Sequence, residues 1–403
     1  MSRPKRSAQF LQDGGILYEI PLGPEWRGAR AKIPAVSRLS DSFAGVAADA
    51  ASTPSYENAH SLRLTRERMR RSRFGLSGGY GIFKFILMKL LEVLLNPRHD
   101  LSNSGFFLSA AVSAGARIRI DAAVDPLVPQ FEAEGKRCAV DLFDSSRRYD
   151  KKALAHCDLY FKRGYIRADV PGGYQEKVFP FGLNYICRTR GSLVKVLSAF
   201  GRCLRMPGNS KNYLAAGMPG TFEFPAAEAY EAKVLFQTRI WPLEQLGEMD
   251  APEQINSYRI GMLKELKRTF GNRFVGGLMP TVEAASYPEL ITKMPTFRWQ
   301  YAAWSRPAAI GIYTRGLHNS NAFKVAEYLA SSKCIVGERL YQDLTQPLGE
   351  CHSVRETIED TIAECETLLS NPKKLENIRR ASWNYYQSQV RYDLRLDLLF
   401  SRI

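Results

Sequence analysis

Short apolar segments that alternate with helix-length segments are the feature that most restricts the fold of this chain. The strand-like segments are ARIRIDAAV, KRCAVDLFD, DLYFKRG and EKVFPFGLNY, then KVLFQTRIWP, NRFVGGLMP, AAIGIYTRG and KCIVGE. Strands that alternate with helices predict parallel sheets with helical crossover connections. A Pro- and Gly-rich stretch over residues 207–226 separates the two series. We therefore predict an α/β protein with two domains that meet at a cleft.

Composition divides the chain further. Residues 1–75 are predicted to be a basic N-terminal extension, residues 76–225 the first domain and residues 226–403 the second. Inside the first domain, we predict a helix for the apolar segment Ile82–Leu95 and a short helix for VPQFEAEG. The chain closes with a segment that is typical of a long helix or a pair of helices.

The formal net charge of +15 implies an anionic partner, which is nucleic acid, an anionic membrane face or a phosphorylated substrate. Arginines concentrate between Arg63 and Arg73. That run fits a solvated face, a nucleic-acid footprint or an anionic-lipid patch. Aromatic residues are not interleaved with it as a base-stacking surface needs, so we expect no nucleic-acid partner.

Cysteine usage indicates a reducing compartment. The seven cysteines are odd in number and form no C-x-x-C pair, so neither a disulfide framework nor structural zinc is expected. No apolar core follows the basic residues at positions 3–6, so no secretory signal peptide is predicted. We expect a cytoplasmic protein, with peripheral contact at the inner membrane face through the arginine run as a further expectation.

The segment after AAIGIY carries the most informative motif. AAIGIY is typical of a buried parallel strand, and the loop TRGLHNSN follows it. Asn319, Ser320 or Asn321 can cap the next helix. A helix that begins just beyond a strand end presents free backbone N–H groups, which favours an anion.

Lys324 and Glu327 lie one turn apart at the start of that helix. Lys324 would add positive charge to the anion site, although the helix dipole disfavours a cation at this end. Glu327 is its i+3 neighbour and shares its face. The pair is either a solvated ion pair on an ordinary helix or part of a ligand site.

The following residues, AEYLASSKCIVGE, resemble the second-domain segment of GT-B glycosyltransferases, in which a helix carrying a Glu leads into an apolar strand. The resemblance implies two Rossmann-like domains facing across a cleft, with C-terminal helices that cross back to the first domain. It also implies a nucleotide-sugar donor, with Glu327 on its ribose hydroxyls, and a carboxylate can accept from both hydroxyls at once.

This sequence departs from that family at the sugar-facing position. Many retaining members carry a second Glu eight residues before the ribose Glu, and this chain has Asn319 there. We treat Asn319 as a candidate catalytic residue. His318, Ser320 and Asn321 are candidate donor-binding residues beside Lys324, and the stereochemistry of transfer stays open.

Two further loops follow predicted strands of the second domain. In GT-B transferases a basic residue after the first strand meets the donor diphosphate, and Arg239 has a similar placement here. Its guanidinium can take two phosphate oxygens, or it can form a structural salt bridge. Gly277 lies in the strand-end segment GGLMP and permits close backbone approach to a ligand, and a tight turn explains it equally well.

In the first domain, His99 and Asp100 precede a predicted helix. Either can serve as a general base toward an acceptor hydroxyl, and Asp100 can instead cap the helix. Asp144, Lys162 and Arg163 end predicted strands at the presumed cleft. They are candidates for acceptor binding or for an ion-pair network between the domains.

We predict a metal-independent glycosyltransferase that moves a sugar from a nucleotide donor to a hydroxyl of a glycan, lipid-linked or protein acceptor. No D-x-D triplet occurs and no histidine has metal-ligand spacing, so we expect neither a metal nor a cofactor besides the co-substrate. The alternatives are a nucleotide-sugar epimerase of the same fold and a non-enzymatic nucleic-acid-binding protein.

Overall fold

The computed structural model describes residues 92–202, 207, 210–243 and 252–401, and all of them fall within one compact unit. The predicted N-terminal extension, its run from Arg63 to Arg73 and residues 82–91 lie outside the described part. The predicted domain limits at residues 75 and 225 stay predictions.

The strands are β1 (Glu92–Leu95), β2 (Arg117–Ile120), β3 (Gln130–Ala133), β4 (Lys136–Asp141), β5 (Leu159–Lys162), β6 (Val178–Pro180), β7 (Glu231–Thr238), β8 (Phe274–Leu278), β9 (Ala308–Tyr313), β10 (Cys334–Gly337) and β11 (His352–Val354). The α-helices are α1 (Leu101–Ser113), α2 (Lys151–His156), α3 (Arg190–Arg202), α4 (Ser210–Leu214), α5 (Pro219–Phe222), α6 (Pro252–Phe270), α7 (Arg298–Ser305), α8 (Phe323–Ala330), α9 (Ile358–Ser370), α10 (Pro372–Tyr385) and α11 (Arg395–Phe400). None of the helices in the described ranges has the length and hydrophobicity that a bilayer span requires.

The first sheet is mixed and has the strand order β2-β1-β3-β4-β5-β6. The prediction of a parallel sheet is wrong for this half of the chain, since β3 pairs antiparallel with β1 and β4. Two predicted helices are also wrong. VPQFEAEG contains β3, because Glu134 and Gly135 both take positive φ (53° and 73°) and turn the chain into an antiparallel hairpin with β4. Glu92–Leu95 is a strand and not the end of a helix, since Val93 and Leu95 alternate inward and β1 pairs with β2 and β3.

The second sheet is wholly parallel, with the order β11-β10-β9-β7-β8. Every residue of β9, AAIGIY, is buried, as expected for the central strand of a sheet covered on both faces. Counted from β7, the order is 2-1-3-4-5, so the direction in which successive strands are added to the sheet reverses between β7 and β9. Ligands of such sheets bind beyond the carboxyl ends of the strands at this switch point.

The end of the chain returns to the first sheet. Arg395 on α11 donates to the carbonyl oxygens of Phe181 (2.8 Å) and Leu183 (2.5 Å). The ring of Phe400 lies 6.4 Å from that of Phe131 and 5.9 Å from that of Phe161. The predicted fold class, a GT-B-like pair of Rossmann-like α/β domains with C-terminal helices crossing back, is therefore confirmed.

Candidate functional site

The loops after β7 and β9 are joined by one buried arginine. Arg259 on α6 is 5% exposed, and its guanidinium donates to the carbonyl oxygens of Arg239 and Arg315, both at 2.7 Å. Its Nε donates to the hydroxyl of Thr314 at 3.1 Å. The two loops at the switch point therefore have a fixed separation.

Asn256 holds the loop after β7 from the same helix. Its side-chain oxygen accepts from the backbone N–H of Trp241 (2.9 Å), and its amide nitrogen donates to the Trp241 carbonyl (2.8 Å). Asn256 and Arg259 are three residues apart and lie on one face of α6. The guanidinium of Arg239 lies 3.7 Å from the centre of the Trp241 ring.

Positive charge concentrates at this edge of the second sheet. Burial, together with the charges of Arg239 and Arg315, lowers the pKa of Arg259 to about 10. Glu338, at the end of β10, partly opposes that effect. Three guanidinium groups close enough to affect one another form an environment that an anion would stabilise.

The loop after β9 is tightly organised. The backbone N–H of Arg315 donates to Oε2 of Glu338 (2.8 Å), and the Arg315 Nη1 donates to Oδ1 of Asn319 (3.2 Å). His318 and Asn319 both take left-handed backbone conformations, with φ of 58° and 54°. Consecutive non-glycine residues in this region store strain, which is typical of functional loops.

Glu327 and Lys324 do form the predicted pair, but the carboxylate is not solvated. Glu327 is 3% exposed, and Lys324 Nζ lies 3.3 Å from its Oε2. Arg298 on α7 holds the other oxygen, Oε1. Lys324 also lies 3.4 Å from the centre of the Tyr301 ring.

This cluster sets the charges of its members. Although burial alone would raise the pKa of Glu327, Arg298 and Lys324 lower it below its ordinary value. Burial lowers the pKa of Lys324 to about 8, partly opposed by Glu327. The carboxylate is therefore ionised and already has two cationic partners.

Asn321 joins the two domains instead of facing solvent. Its backbone N–H donates to Oε1 of Gln342 (3.0 Å), and its side-chain amide donates to the Gln342 carbonyl (3.0 Å). Gln342 in turn donates to the carbonyl oxygen of Asp144 in the first domain (2.6 Å). Ser320, the preceding residue, is also buried.

Asp144 and Arg163 pair with each other at the same junction. Arg163 also donates to Oδ1 of Asn184 (3.1 Å) and to the Asn321 carbonyl (3.4 Å), and its guanidinium lies 4.0 Å from the Phe323 ring centre. Burial lowers the pKa of Arg163 to about 10. These contacts match the interdomain network that the sequence left open as the alternative to acceptor binding.

Lys162 is enclosed in the first domain. Its side chain is wholly buried and lies 3.1 Å from Oδ2 of Asp141, which also accepts from the Tyr160 hydroxyl at 2.5 Å. Burial lowers the pKa of Lys162, and the charge of Asp141 opposes the shift. In this conformation Lys162 belongs to a core ion pair.

His99 and Asp100 occupy the loop between β1 and α1. Asp100 caps α1: its Oδ1 accepts from the N–H groups of Ser102 (3.0 Å) and Asn103 (3.2 Å), and its Oδ2 accepts from the Asn103 amide (2.7 Å). His99 is fully buried, and burial lowers its pKa to about 4. The catalytic roles of both residues stay predictions.

Gly277 allows the backbone of residues 290–292 to pack closely against the end of β8. It takes a φ of 137°, and a Cβ there would lie 2.5 Å from the Leu290 carbonyl oxygen. The segment around Ile291 runs beside Leu278 as an isolated parallel bridge. The tight packing of residues 290–292 therefore accounts for this glycine.

Arg259 and Arg298 were not predicted from the sequence as residues of the candidate site. One sequence pattern could have indicated Arg259, because it lies on the buried stripe of α6 that also contains Ile255 and Met262. No sequence pattern indicated Arg298, since α7 was not predicted.

No protein-family model matches the chain, and no curated protein matches it. Several solved structures are similar to this chain. UDP-GlcNAc 2-epimerase from Neisseria meningitidis, bound to UDP-GlcNAc, is 11% identical over 77% of this chain and 75% of that one, with a TM-score of 0.33. MnaA of S. aureus with UDP is 11% identical over 77% and 74%, with a TM-score of 0.32. HepE of Anabaena in complex with UDP is 9% identical over 78% and 100%, with a TM-score of 0.32. None of these similarities defines a family or an activity for this chain.

Proposed function

We propose that this protein is an enzyme that binds a nucleotide sugar through its second domain and transfers the sugar to a hydroxyl acceptor. One observation carries the proposal, which is the group of guanidinium charges of Arg239, Arg259 and Arg315 at the switch point of the second sheet. A diphosphate is an anion suited to such a place, since it carries two phosphates for two loops.

The nucleoside part of the donor is assigned to the cluster around Glu327. Its carboxylate is ionised, and the contact with Lys324 at 3.3 Å is the one we expect to open for a ribose hydroxyl. Lys324 would then turn toward the phosphates. The resemblance of AEYLASSKCIVGE to GT-B transferases supports this assignment.

Cleavage of the bond to the sugar releases a nucleotide with added negative charge on its phosphate. Preorganised guanidinium groups can stabilise that charge without a metal. We assign the leaving-group role to Arg239 and Arg315, and we keep Asn319, His99 and Asp100 as candidates near the sugar and acceptor. The acceptor is proposed to be a glycan, lipid-linked or protein hydroxyl on the cytoplasmic side.

A nucleotide-sugar epimerase is the second candidate function. Asp144 and Arg163 pair with each other and with residues of the second domain. An epimerase needs no acceptor site, so this engagement favours it.

Product analysis separates the two. The purified protein is incubated with a panel of nucleotide sugars, with and without acceptor mixtures, and the products are separated by mass and chromatography. The transferase proposal expects free nucleoside diphosphate and a glycosylated acceptor. An isomeric nucleotide sugar formed without acceptor would instead indicate the epimerase, and no turnover of any donor would count against both.

A further inference from the structure

We infer that Asn256 and Arg259 are positioning residues for a nucleoside diphosphate, because together they set the geometry of the two loops that carry Arg239 and Arg315. This inference rests on the proposed function and names the phosphate-bearing part of its site. Neither residue is assigned a contact with the ligand.

Asn256 fixes the first loop to α6. Its amide makes two hydrogen bonds to the backbone of a single residue, Trp241, at 2.9 and 2.8 Å. This pattern occupies both backbone polar groups of Trp241 and leaves the loop little rotational freedom. The indole of Trp241 then provides the surface on which the Arg239 guanidinium stacks.

Arg259 connects the first loop to the second. A carbonyl oxygen from each loop accepts from a different terminal nitrogen of the guanidinium, both at 2.7 Å. The planar fork of an arginine imposes a fixed angle between two such contacts, which a lysine cannot do. The distance between the two loops is thereby determined by one rigid group.

The peptide groups of Arg315 are held on both sides. The N–H of Arg315 donates to Glu338, and its carbonyl accepts from Arg259. Because its backbone is fixed in this way, the Arg315 side chain extends from a defined Cα position. Catalytic and binding groups need such support, because displacement by about 1 Å can cost about 100-fold in rate.

The ligand class follows from the charges. Arg259 is 5% exposed and donates three hydrogen bonds to the two loops, so it supports the site from the protein interior. Arg239 and Arg315 belong to different loops, and each adds a charge that destabilises the Arg259 cation. A ligand with two linked phosphates would meet a positive charge on both loops at once, in competition with Glu338, whose Oε1 lies 3.5 Å from the Arg315 Nε, whereas a nucleoside would neutralise neither charge.

The test compares nucleoside diphosphates with the matching nucleosides. Calorimetry measures UDP, GDP, ADP, CDP and dTDP, the five nucleosides, and inorganic pyrophosphate against the full-length wild-type protein. The ligand that binds is then measured against Arg259→Lys, which keeps the charge but loses the fork, and against Asn256→Ala. Lys264→Ala, which removes an exposed positive charge from α6, is the matched control. Thermal unfolding and circular dichroism check that each variant folds.

We expect Arg259→Lys to weaken the diphosphate by about 10- to 100-fold, the range of a hydrogen bond to a charged group, and Asn256→Ala by about threefold to tenfold. The nucleoside affinity should not change, and the ³¹P resonances of the bound diphosphate should move in both variants. Lys264→Ala should bind as the wild type does.

Two other outcomes have separate meanings. If the wild type binds no nucleoside diphosphate, the proposed function fails. If it binds one, and the variants lose diphosphate and nucleoside equally or lose neither, Asn256 and Arg259 are merely structural and this inference is overturned while the function stands. If both variants fail to fold, Asn256→Ser is measured in their place, and an unchanged ratio of diphosphate to nucleoside affinity again overturns the inference.

Discussion

Arg298 on α7 holds one carboxylate oxygen of Glu327 on α8. The residue predicted to hold a ribose therefore already has a cationic partner. In the proposed function a ribose hydroxyl would replace the contact of Glu327 with Lys324, and this exchange would determine how the site responds to substitution.

Removing the carboxylate should abolish discrimination at the ribose. In the wild type we expect a 2′-deoxynucleoside diphosphate to bind about tenfold or more weakly than the ribonucleotide, since a lost hydrogen bond to a charged group costs about 1.5–3 kcal/mol. In Glu327→Ala the two ligands should bind alike. Calorimetry on both proteins with both ligands gives the coupling free energy between the Glu327 carboxylate and the 2′-hydroxyl. Undiminished discrimination in the variant would contradict the role of Glu327.

The stability of the fold should depend on the titration of Lys324. Its pKa is about 8 in the folded chain and 10.5 for an ordinary lysine. Between these values the unfolded chain retains a proton that the folded chain has lost, so the free energy of unfolding contributed by this group rises with pH. Below pH 8 both states are protonated and the contribution is constant.

Chemical denaturation of the wild type and Lys324→Met across that window measures the effect. The difference in unfolding free energy between the two proteins should move in favour of the wild type as the pH rises. A difference that stays constant would show that Lys324 titrates normally.

Lys333 provides a test of the second domain that is independent of any ligand. It is 1% exposed, and its ammonium donates to the carbonyl oxygens of Ser305 (2.6 Å), Arg306 (2.9 Å) and Ala308 (2.8 Å). Lys333→Met would leave these acceptors without that donor, at a cost of about 1–3 kcal/mol per unsatisfied buried group. Urea denaturation should show that loss, and Lys373→Met, at an exposed position, should be neutral.

Metal removal should leave donor turnover unchanged. The proposed leaving-group stabilisation uses Arg239 and Arg315 and no divalent ion. Turnover measured after exhaustive chelation, and again after adding magnesium or manganese, should be the same within error. A loss of activity on chelation that magnesium restores would contradict this part of the account.

The sequence predicted the architecture because its central strands are continuous apolar runs. AAIGIY is buried at every position, and hydrophobic periodicity identifies such a segment directly. The prediction of a helix for VPQFEAEG was wrong because a short segment with apolar and acidic residues fits both a helix and a hairpin. Only the left-handed conformations of Glu134 and Gly135 distinguish the two, and they depend on pairing with β4.

The sequence predicted where the candidate site lies along the chain but not the contacts that its residues make. Strand ends can be located along the chain, so Arg239 was placed beyond β7 correctly. Spacing did predict the contact between Lys324 and Glu327. Arg298, the other partner of Glu327, lies 29 residues away, and Gln342, which binds Asn321, lies 21 residues away, so both contacts depend on how the segments pack. Spacing along the chain carries no information about such contacts.

The proposed function requires a nucleoside diphosphate to bind between the loops that follow β7 and β9. Crystals of the protein soaked with the nucleoside diphosphate that binds in solution would reveal where it binds. We expect density for two phosphates within hydrogen-bonding distance of Arg239 and Arg315, and for a ribose at Glu327. A nucleotide bound elsewhere on the chain, with these loops unoccupied, would contradict the proposed function.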